Sequence, residues 1–140
     1  MPDPEKVATV VWEWVAKAEN DLKAGAYTLR LGKGCPTDTV CFHAQQVVEK
    51  YLKALLTAQG IPFPKTYNIR KLVEMLPAGA QLNLSEDQQD ELTDYATGAR
   101  YPGWGDISLA DSRRVVAIAR RLRRDVRKLL PKGGLRRRKR

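Results

Sequence analysis

The fold is decided by residues 41–56, CFHAQQVVEKYLKALL. Apolar side chains recur in and around this stretch at intervals of three or four residues, which is the period of one face of an α-helix. They are Val40, Ala44, Val47, Val48, Tyr51, Leu52, Leu55 and Leu56. Gly60 and then Pro62 end the pattern, because proline lacks the amide proton that a helix interior needs. We predict one long amphipathic helix here.

Upstream, the same period appears in a first segment. Its apolar stripe comprises Val7, Val11, Trp14, Ala18, Leu22, Ala26 and Leu29. Asp3-Pro4 supplies a cap and a first-turn proline, and residues 32–36 break the pattern with two glycines and a proline. The spacing predicts a first helix of about six turns.

Downstream, three further helices are predicted. Residues 69–76 form a short one, and Ser85 with Gln88 has the spacing of a capping box at the start of the next. Ser108 has a similar position before a long last helix, which Pro131 ends.

These helices predict an all-α fold, since the chain has no alternating strand pattern of useful length. Short connections favour an up-and-down antiparallel bundle of four or five helices. The 140 residues fit one domain, which we place at residues 1–131. Residues 132–140 are predicted to be a flexible basic tail.

Composition favours a cytoplasmic globular protein. The hydrophobic fraction is 43% and the charged fraction 29%, both ordinary for such proteins. No apolar run approaches the ~18–20 residues of a membrane span, and the first residues are polar and acidic, unlike a signal peptide. We expect no membrane partner. Cys35 and Cys41 are too few for a disulfide framework and are expected to be reduced.

The net charge of +9 is concentrated near one end of the chain. Residues 113–140 hold 14 of the 25 lysines and arginines and one acid, Asp125, whereas residues 1–112 carry a net charge of −4. Such a block fits a phosphate polymer or an acidic partner; equally, it fits a solvated helix face with a disordered tail. Its members on the last helix include Arg113, Arg114, Arg120, Arg121 and Arg124.

On a helical wheel, the second helix carries a polar ridge opposite its apolar side. The ridge comprises His43, Gln46, Lys50 and Lys53. Its imidazole, amide and ammonium groups can donate to a phosphate or a nucleobase, although such residues on a surface helix are ordinarily just solvated. His43 lies at the seam between ridge and core, where a histidine is more often buried and hydrogen-bonded than catalytic.

A second candidate site is Arg100-Tyr101-Pro102 with Trp104. A cation and two aromatic rings can clasp a phosphate and stack on a base. The interpretation that the residues alone favour is a plug at one end of the bundle. Familiar enzyme motifs are missing, including a glycine-rich phosphate loop and paired histidines at metal spacing. We therefore expect no metal and no cofactor, and His43 is the one candidate for acid–base chemistry.

In order and spacing, several of these residues resemble the HEPN superfamily. The resemblance is carried by Trp14, Ala18, Asp21-Leu22, Ala26, residues 41–56, Gly60, Pro64, Thr66, Leu72 and Arg100-Tyr101-Pro102. Its most specific part is the pattern FHAQQ..EK.LKA.L, and it spans roughly residues 10–130. We identify the chain as a member of that superfamily.

The resemblance implies a helical bundle, commonly a homodimer, often encoded in prokaryotes beside a minimal nucleotidyltransferase with which it forms a toxin–antitoxin or related complex. Many HEPN proteins are metal-independent ribonucleases, whose signature is an arginine, a polar residue and a histidine a few positions later in a late helix. This chain departs from that pattern, since Ser112-Arg113-Arg114 is followed by no histidine. Tyr67 is a second departure, because this subgroup usually has histidine there.

Three functional hypotheses follow. The first, which the missing histidine favours, is a non-catalytic module that dimerises, partners a minimal nucleotidyltransferase and binds nucleotide or RNA. Its binding residues would be His43, Gln46, Lys50, Lys53, Arg100 and Tyr101. The second is a metal-independent ribonuclease toxin whose non-standard active site uses His43, or Arg113 and Arg114. The third is a basic nucleic-acid-binding protein whose tail acts through counterion release.

Overall fold

The computed structural model describes residues 3–131. Its helices are α1 (Pro4–Leu29), α2 (Thr37–Ala58), α3 (Ile69–Glu74), α4 (Glu86–Ala96) and α5 (Leu109–Leu129), with a 3₁₀ turn at Gly98–Arg100. No strand occurs in the part of the chain that is described, so the predicted all-α bundle is confirmed. The predicted tail at 132–140 lies outside the described residues, and the domain boundary at 131 stays a prediction. None of the helices within 3–131 is long and apolar enough to cross a membrane.

The helix starts follow the capping residues that the sequence shows. Ser85 and Gln88 form the predicted capping box, in which each side chain bonds the other's backbone amide. The Ser108 side chain accepts from the amide of Asp111, and Asp3 accepts from that of Glu5. Each bond satisfies an amide that the first turn leaves without an intrahelical partner.

The four longer helices alternate in direction. The thiol of Cys41 lies 3.8 Å from the hydroxyl of Ser112, and Tyr51, further along α2, accepts from Arg127, further along α5. Therefore α2 and α5 run in the same direction, as the second and fourth members of an up-and-down bundle do. The short helix α3 belongs to the connection between α2 and α4.

Helix α2 is the central helix of the bundle. Thirteen of its 22 residues are buried, and they include Gln45, Glu49 and Lys53 as well as the predicted apolar stripe. Of the predicted polar ridge on α2, His43, Gln46 and Lys50 are half-buried. Lys53 is buried, because Trp14 of α1 and Phe63 of the segment after α2 cover it. A helical wheel shows the polarity of a face and does not show which neighbours cover it.

Helices α1 and α2 approach each other closely at Gly25. A Cβ atom added at Gly25 would lie 3.2 Å from the Cβ atom of His43 and 3.6 Å from the carbonyl oxygen of Val40. A glycine therefore lets the two backbones come close together. This approach sets the side chains of α1 beside the first turns of α2, where the candidate site lies.

Candidate nucleotide-binding cleft

A cleft opens at the N-terminal end of α2, where the 3₁₀ turn and the following loop pass over it. One part has a volume of about 400 Å³ and is lined by Asp38, Thr39, Phe42, His43 and Arg100. Asp38 and Arg100 also line an adjoining part of about 480 Å³, which is completed by residues that include Tyr101, Pro102, Asp106 and Ile107. The structure thus brings together three of the six predicted binding residues, His43, Arg100 and Tyr101.

Arg100 supplies a positive charge at this cleft. Its guanidinium lies 4.1 Å from the centre of the Phe42 ring, an arrangement in which the face of the ring attracts the cation. The side chain of Arg100 forms no ion pair with any residue of 3–131. Its charge is therefore held in place by an aromatic ring. Asp38 and Asp106 also line the cleft, but no carboxylate of the described residues forms an ion pair with Arg100.

His43 is half-buried and is oriented from α1. Its Nδ1 atom lies 2.9 Å from Oδ1 of Asp21. An ionised carboxylate only accepts hydrogen bonds, so the proton of the neutral ring belongs on Nδ1. This leaves Nε2 as an acceptor for a ligand or for water. The arrangement also orients an imidazole as a general base would be oriented.

Two other residues of the predicted set bond within the protein. Lys50 donates to Oδ2 of Asp21 at 2.5 Å, so that the carboxylate bridges His43 and Lys50. The Gln46 amide donates to side-chain oxygens of Gln45 at 2.7 Å and Glu49 at 3.2 Å. Gln46 and Lys50 therefore form contacts within the protein at the middle of α2, and the cleft lining does not include them.

The structure corrects the predicted role of Lys53. Only 6% of this residue is exposed, and its Nζ atom donates to Glu49 at 2.8 Å. The rings of Trp14 and Phe63 flank the ammonium group, with centroids 5.5 and 5.9 Å away. Lys53 is a buried, paired cation, because α1 and the segment after α2 close over it.

The plug interpretation of the loop after α4 is also wrong. Tyr101 is 64% and Trp104 47% exposed, and the buried residue of this segment is Ala99. A Cβ atom added at Gly98 would lie 3.3 Å from the Trp104 ring, so the tryptophan packs on its own loop. Tyr101 is left at the mouth of the cleft with its ring available for stacking.

The chain matches a known family over most of the bundle, and the matched range includes the residues that line the cleft. The family model described as the HEPN domain matches residues 11–129. This chain belongs to the HEPN family. The resemblance that residues 41–56 and Arg100-Tyr101-Pro102 carry is therefore confirmed.

Among solved structures, that of TT1696 from Thermus thermophilus is similar to this HEPN protein. Its TM-score is 0.70 at 24% sequence identity, and the match covers 86% of this chain and 98% of that chain. This similarity shows the fold. None of the proteins with curated descriptions matches the chain.

The segment Ser112-Arg113-Arg114 lies near the start of the last helix, α5. Ser112 is buried and donates to the carbonyl oxygen of Ser108. Arg114 is held by Glu91, which accepts from two guanidinium nitrogens, whereas Arg113 is exposed. Within residues 3–131, no three side chains of the types that bind metals converge on one point.

The predicted basic patch on α5 divides into paired and unpaired cations. Arg114 is neutralised by Glu91, and Arg121 is half-buried with its Nε atom lacking a hydrogen-bond partner in the described part of the chain. Arg113, Arg120 and Arg124 are exposed. The sequence alone does not show which arginines of the patch are paired, because the partner of Arg114, Glu91, lies on another helix.

A clamp that the sequence did not predict joins α1, α2 and α5. Glu19 accepts two hydrogen bonds from Arg123 and one from the hydroxyl of Tyr51. Burial acts to raise the pKa of Glu19, but the bonds from Arg123 and Tyr51 outweigh it and hold the pKa below its usual value. Burial and the bond to Glu19 raise the pKa of Tyr51 to about 12.

The thiol of Cys41 has a structural role. Its burial raises its pKa to about 11, and a thiol that stays protonated is a poor nucleophile. It contacts Ser112 at the start of α5. Cys41 therefore belongs to the packing between α2 and α5 and adds no reactive group to the cleft.

Sequence reasoning missed Asp21, Asp38 and Phe42 as residues of the site. Asp21 meets His43 across 22 residues of chain, and no local period connects them. The one indication in the sequence is that Asp21 adjoins Leu22 of the apolar stripe, which places its carboxylate at the edge of the buried face.

Proposed function

We propose that this protein is a non-catalytic HEPN module that binds a nucleotide or RNA at the cleft. The observation that carries the proposal is the position of Arg100. Its guanidinium lies on Phe42, lines the same cleft as His43 and has no ion pair within residues 3–131. A fixed, unneutralised arginine beside an exposed tyrosine fits a ligand that has both a phosphate and a base.

In this proposal each part of the cleft contacts a different part of the ligand. The Arg100 guanidinium pairs with phosphate oxygens, for which its planar fork is suited. Tyr101 stacks on the base, and Nε2 of His43 accepts a hydrogen bond from it. Pro36 at the N-cap of α2 gives no side-chain cap, and the Asp38 carboxylate accepts from the Thr39 amide in the first turn. The phosphate is therefore assigned to Arg100 and not to the end of the helix.

The non-catalytic part of the proposal is supported by the single histidine. His43 is the only histidine of the chain, and it lies on α2, whereas Arg113 and Arg114 lie on α5 with no histidine after them. The rival function, a ribonuclease toxin with a non-standard site, has one observation in its favour. The Asp21–His43 pair orients an imidazole as a base requires.

We propose further that the protein is a cytoplasmic homodimer that partners a minimal nucleotidyltransferase in a toxin–antitoxin type of system. Membership of the HEPN family supports this part, together with the resemblance to members of that kind. Purification from the native host, with identification of the bound protein and nucleotide, tests the partner. Light scattering of the purified chain tests the dimer, and a monomeric mass would contradict it.

The cleft is tested by titrating the protein with ATP in a calorimeter. Charge-assisted hydrogen bonds contribute about 1.5–3 kcal/mol, so Arg100→Gln is expected to weaken binding by about tenfold or more. The matched control is Arg30→Gln, since Arg30 is also exposed and also lies on an aromatic ring, 5.5 Å from the centre of the Tyr27 ring. Equal effects of the two substitutions, or no binding by the wild-type protein, would reject the cleft.

A further inference from the structure

The outer face of α5 carries a line of cations, Arg113, Arg120, Arg124 and Lys128, which we name the α5 stripe. All four are exposed. Their spacings of seven, four and four residues keep them on one side of the helix. The apolar side of α5 faces the core, with Val115, Ile118, Leu122 and Val126 buried.

Two of the cations beside the stripe, Arg114 and Arg123, are paired, whereas Arg121 and the four cations of the stripe form no ion pair within residues 3–131. On one flank Arg114 binds Glu91, and on the other Arg123 binds Glu19. The one acid between residues 113 and 131, Asp125, accepts from the backbone amide of Asn83. No ion pair of the stripe occurs within residues 3–131.

This arrangement differs from an ordinary solvated helix face. Surface helices commonly place acids three or four residues from their bases, which stabilises the helix. Along the stripe the residues four apart carry like charges, Arg120 with Arg124 and Arg124 with Lys128, so they repel one another. An anionic ligand with several charges would remove that repulsion.

The spacing of the stripe suits a flexible chain of phosphates. At 1.5 Å per residue the four positions span roughly 22 Å, with intervals of about 10, 6 and 6 Å. A single strand can adjust its phosphates to such uneven intervals, whereas a rigid duplex presents them at fixed positions.

We infer that the α5 stripe binds the phosphate backbone of single-stranded RNA. The choice of RNA rests on the proposed function of the cleft. A membrane surface fits less well, because a helix that lies on a bilayer buries its apolar face in the lipid, and the apolar face of α5 is already in the core.

The stripe begins close to the cleft. Ile107 lines the cleft and Ser108 caps α5, and Arg113 follows about 8 Å further along the helix axis. One strand can therefore place a nucleotide at Arg100 and lead its backbone onto the stripe. The cleft would hold one nucleotide, and the stripe would add affinity without reading sequence.

The test measures binding of a fluorescent oligouridine RNA to the full-length protein at several salt concentrations. The stripe variant is Arg113→Gln/Arg120→Gln/Arg124→Gln. The control is Lys6→Gln/Lys17→Gln/Lys23→Gln, three exposed lysines of α1. Each variant lowers the net charge from +9 by three, so net charge alone cannot separate them. Melting curves check that both variants are folded.

Each phosphate contact with a single strand contributes about 0.7 to the slope of log K against log salt. The stripe variant is therefore expected to flatten the slope by about two, and the control is expected to keep the wild-type slope. Equal flattening in both variants, or none in the stripe variant, would overturn the inference. Loss of binding to phosphatidylserine vesicles with unchanged RNA binding would also overturn it, in favour of a membrane surface.

If the proposed nucleotide binding at the cleft is wrong, the experiments give a different result. The stripe variant should bind ATP as the wild-type protein does, because the stripe does not line the cleft. An Arg100→Gln variant that binds ATP normally would reject the cleft and leave the salt slope of the stripe untouched. The two experiments can therefore fail separately.

Discussion

Helices α2 and α5 both carry polar and basic side chains at helical spacing, yet these side chains are paired on α2 and largely unpaired on the outer face of α5. The polar residues of α2 bond inside the protein, as Lys53 does with Glu49 and Lys50 with Asp21. The outer cations of α5, such as Arg120 and Arg124, have no ion pair within residues 3–131. The difference comes from position, because α2 is surrounded by other helices and α5 has one open side. The paired charges hold the helices together, and the unpaired charges can bind a ligand.

The largest effect is expected at the buried pair of α2. Lys53→Met leaves Glu49 charged and buried without its cation, which typically destabilises a protein by about 3–5 kcal/mol. The side chains of Lys53 and Glu49 are 8% and 11% exposed. Chemical denaturation measures the free energy of unfolding.

The control for this pair is Lys128→Met on the exposed side of α5, which should change the free energy of unfolding by less than about 0.5 kcal/mol. A second variant, Glu49→Leu with Lys53→Met, removes both charges and should recover part of the loss. Similar losses in the two single variants would contradict the contrast between α2 and α5.

A smaller effect is expected at the clamp that joins α1, α2 and α5. Glu19→Gln replaces a carboxylate that accepts from Arg123 and Tyr51, so it should lower the free energy of unfolding at pH 7 by about 1–3 kcal/mol. The loss should depend on pH. The pKa of Glu19 is lowered in the folded protein, so its stabilisation is present above the unfolded pKa, about 4.3.

As pH falls through the lower, folded pKa of Glu19, that stabilisation disappears. Unfolding curves of wild type and Glu19→Gln, measured between neutral and acidic pH, should therefore converge in acid. Arg30→Gln serves as the control and should give a difference that pH does not change. A Glu19→Gln difference that stays constant into acid would show that the clamp is not ionic.

The smallest effect is expected on the α5 stripe. Arg120→Gln removes a like-charge contact with Arg124 one turn away, and such contacts destabilise helices by about 0.2–0.5 kcal/mol. The melting temperature should stay the same or rise slightly. A clear fall would mean that Arg120 has a structural partner and is not free for RNA.

The helices and their caps could be predicted from the sequence because both are local. The apolar period of residues 41–56 placed α2, and Ser85 with Gln88 placed the start of α4. The burial of Lys53 was not predicted, since Trp14 and Phe63, which cover it, are distant in sequence. A periodic pattern does not show such neighbours.

The site was predicted only in part, because some of its contacts join residues that are distant in sequence. His43, Arg100 and Tyr101 were chosen for their chemistry, and the fold places them around one cleft. The aspartate that orients His43 was missed, because Asp21 reaches it only where Gly25 lets α1 and α2 come close. The pairing of Arg114 with Glu91 also depends on tertiary structure.

The distinction between a binding module and a ribonuclease is tested most directly on a native gel of end-labelled RNA incubated with the full-length protein in a metal chelator. The expected result is a retarded band of intact RNA, weakened by Arg100→Gln and unchanged by Arg30→Gln. Fragments that appear with the wild-type protein and disappear with His43→Ala would contradict it, and would assign the Asp21–His43 pair to catalysis.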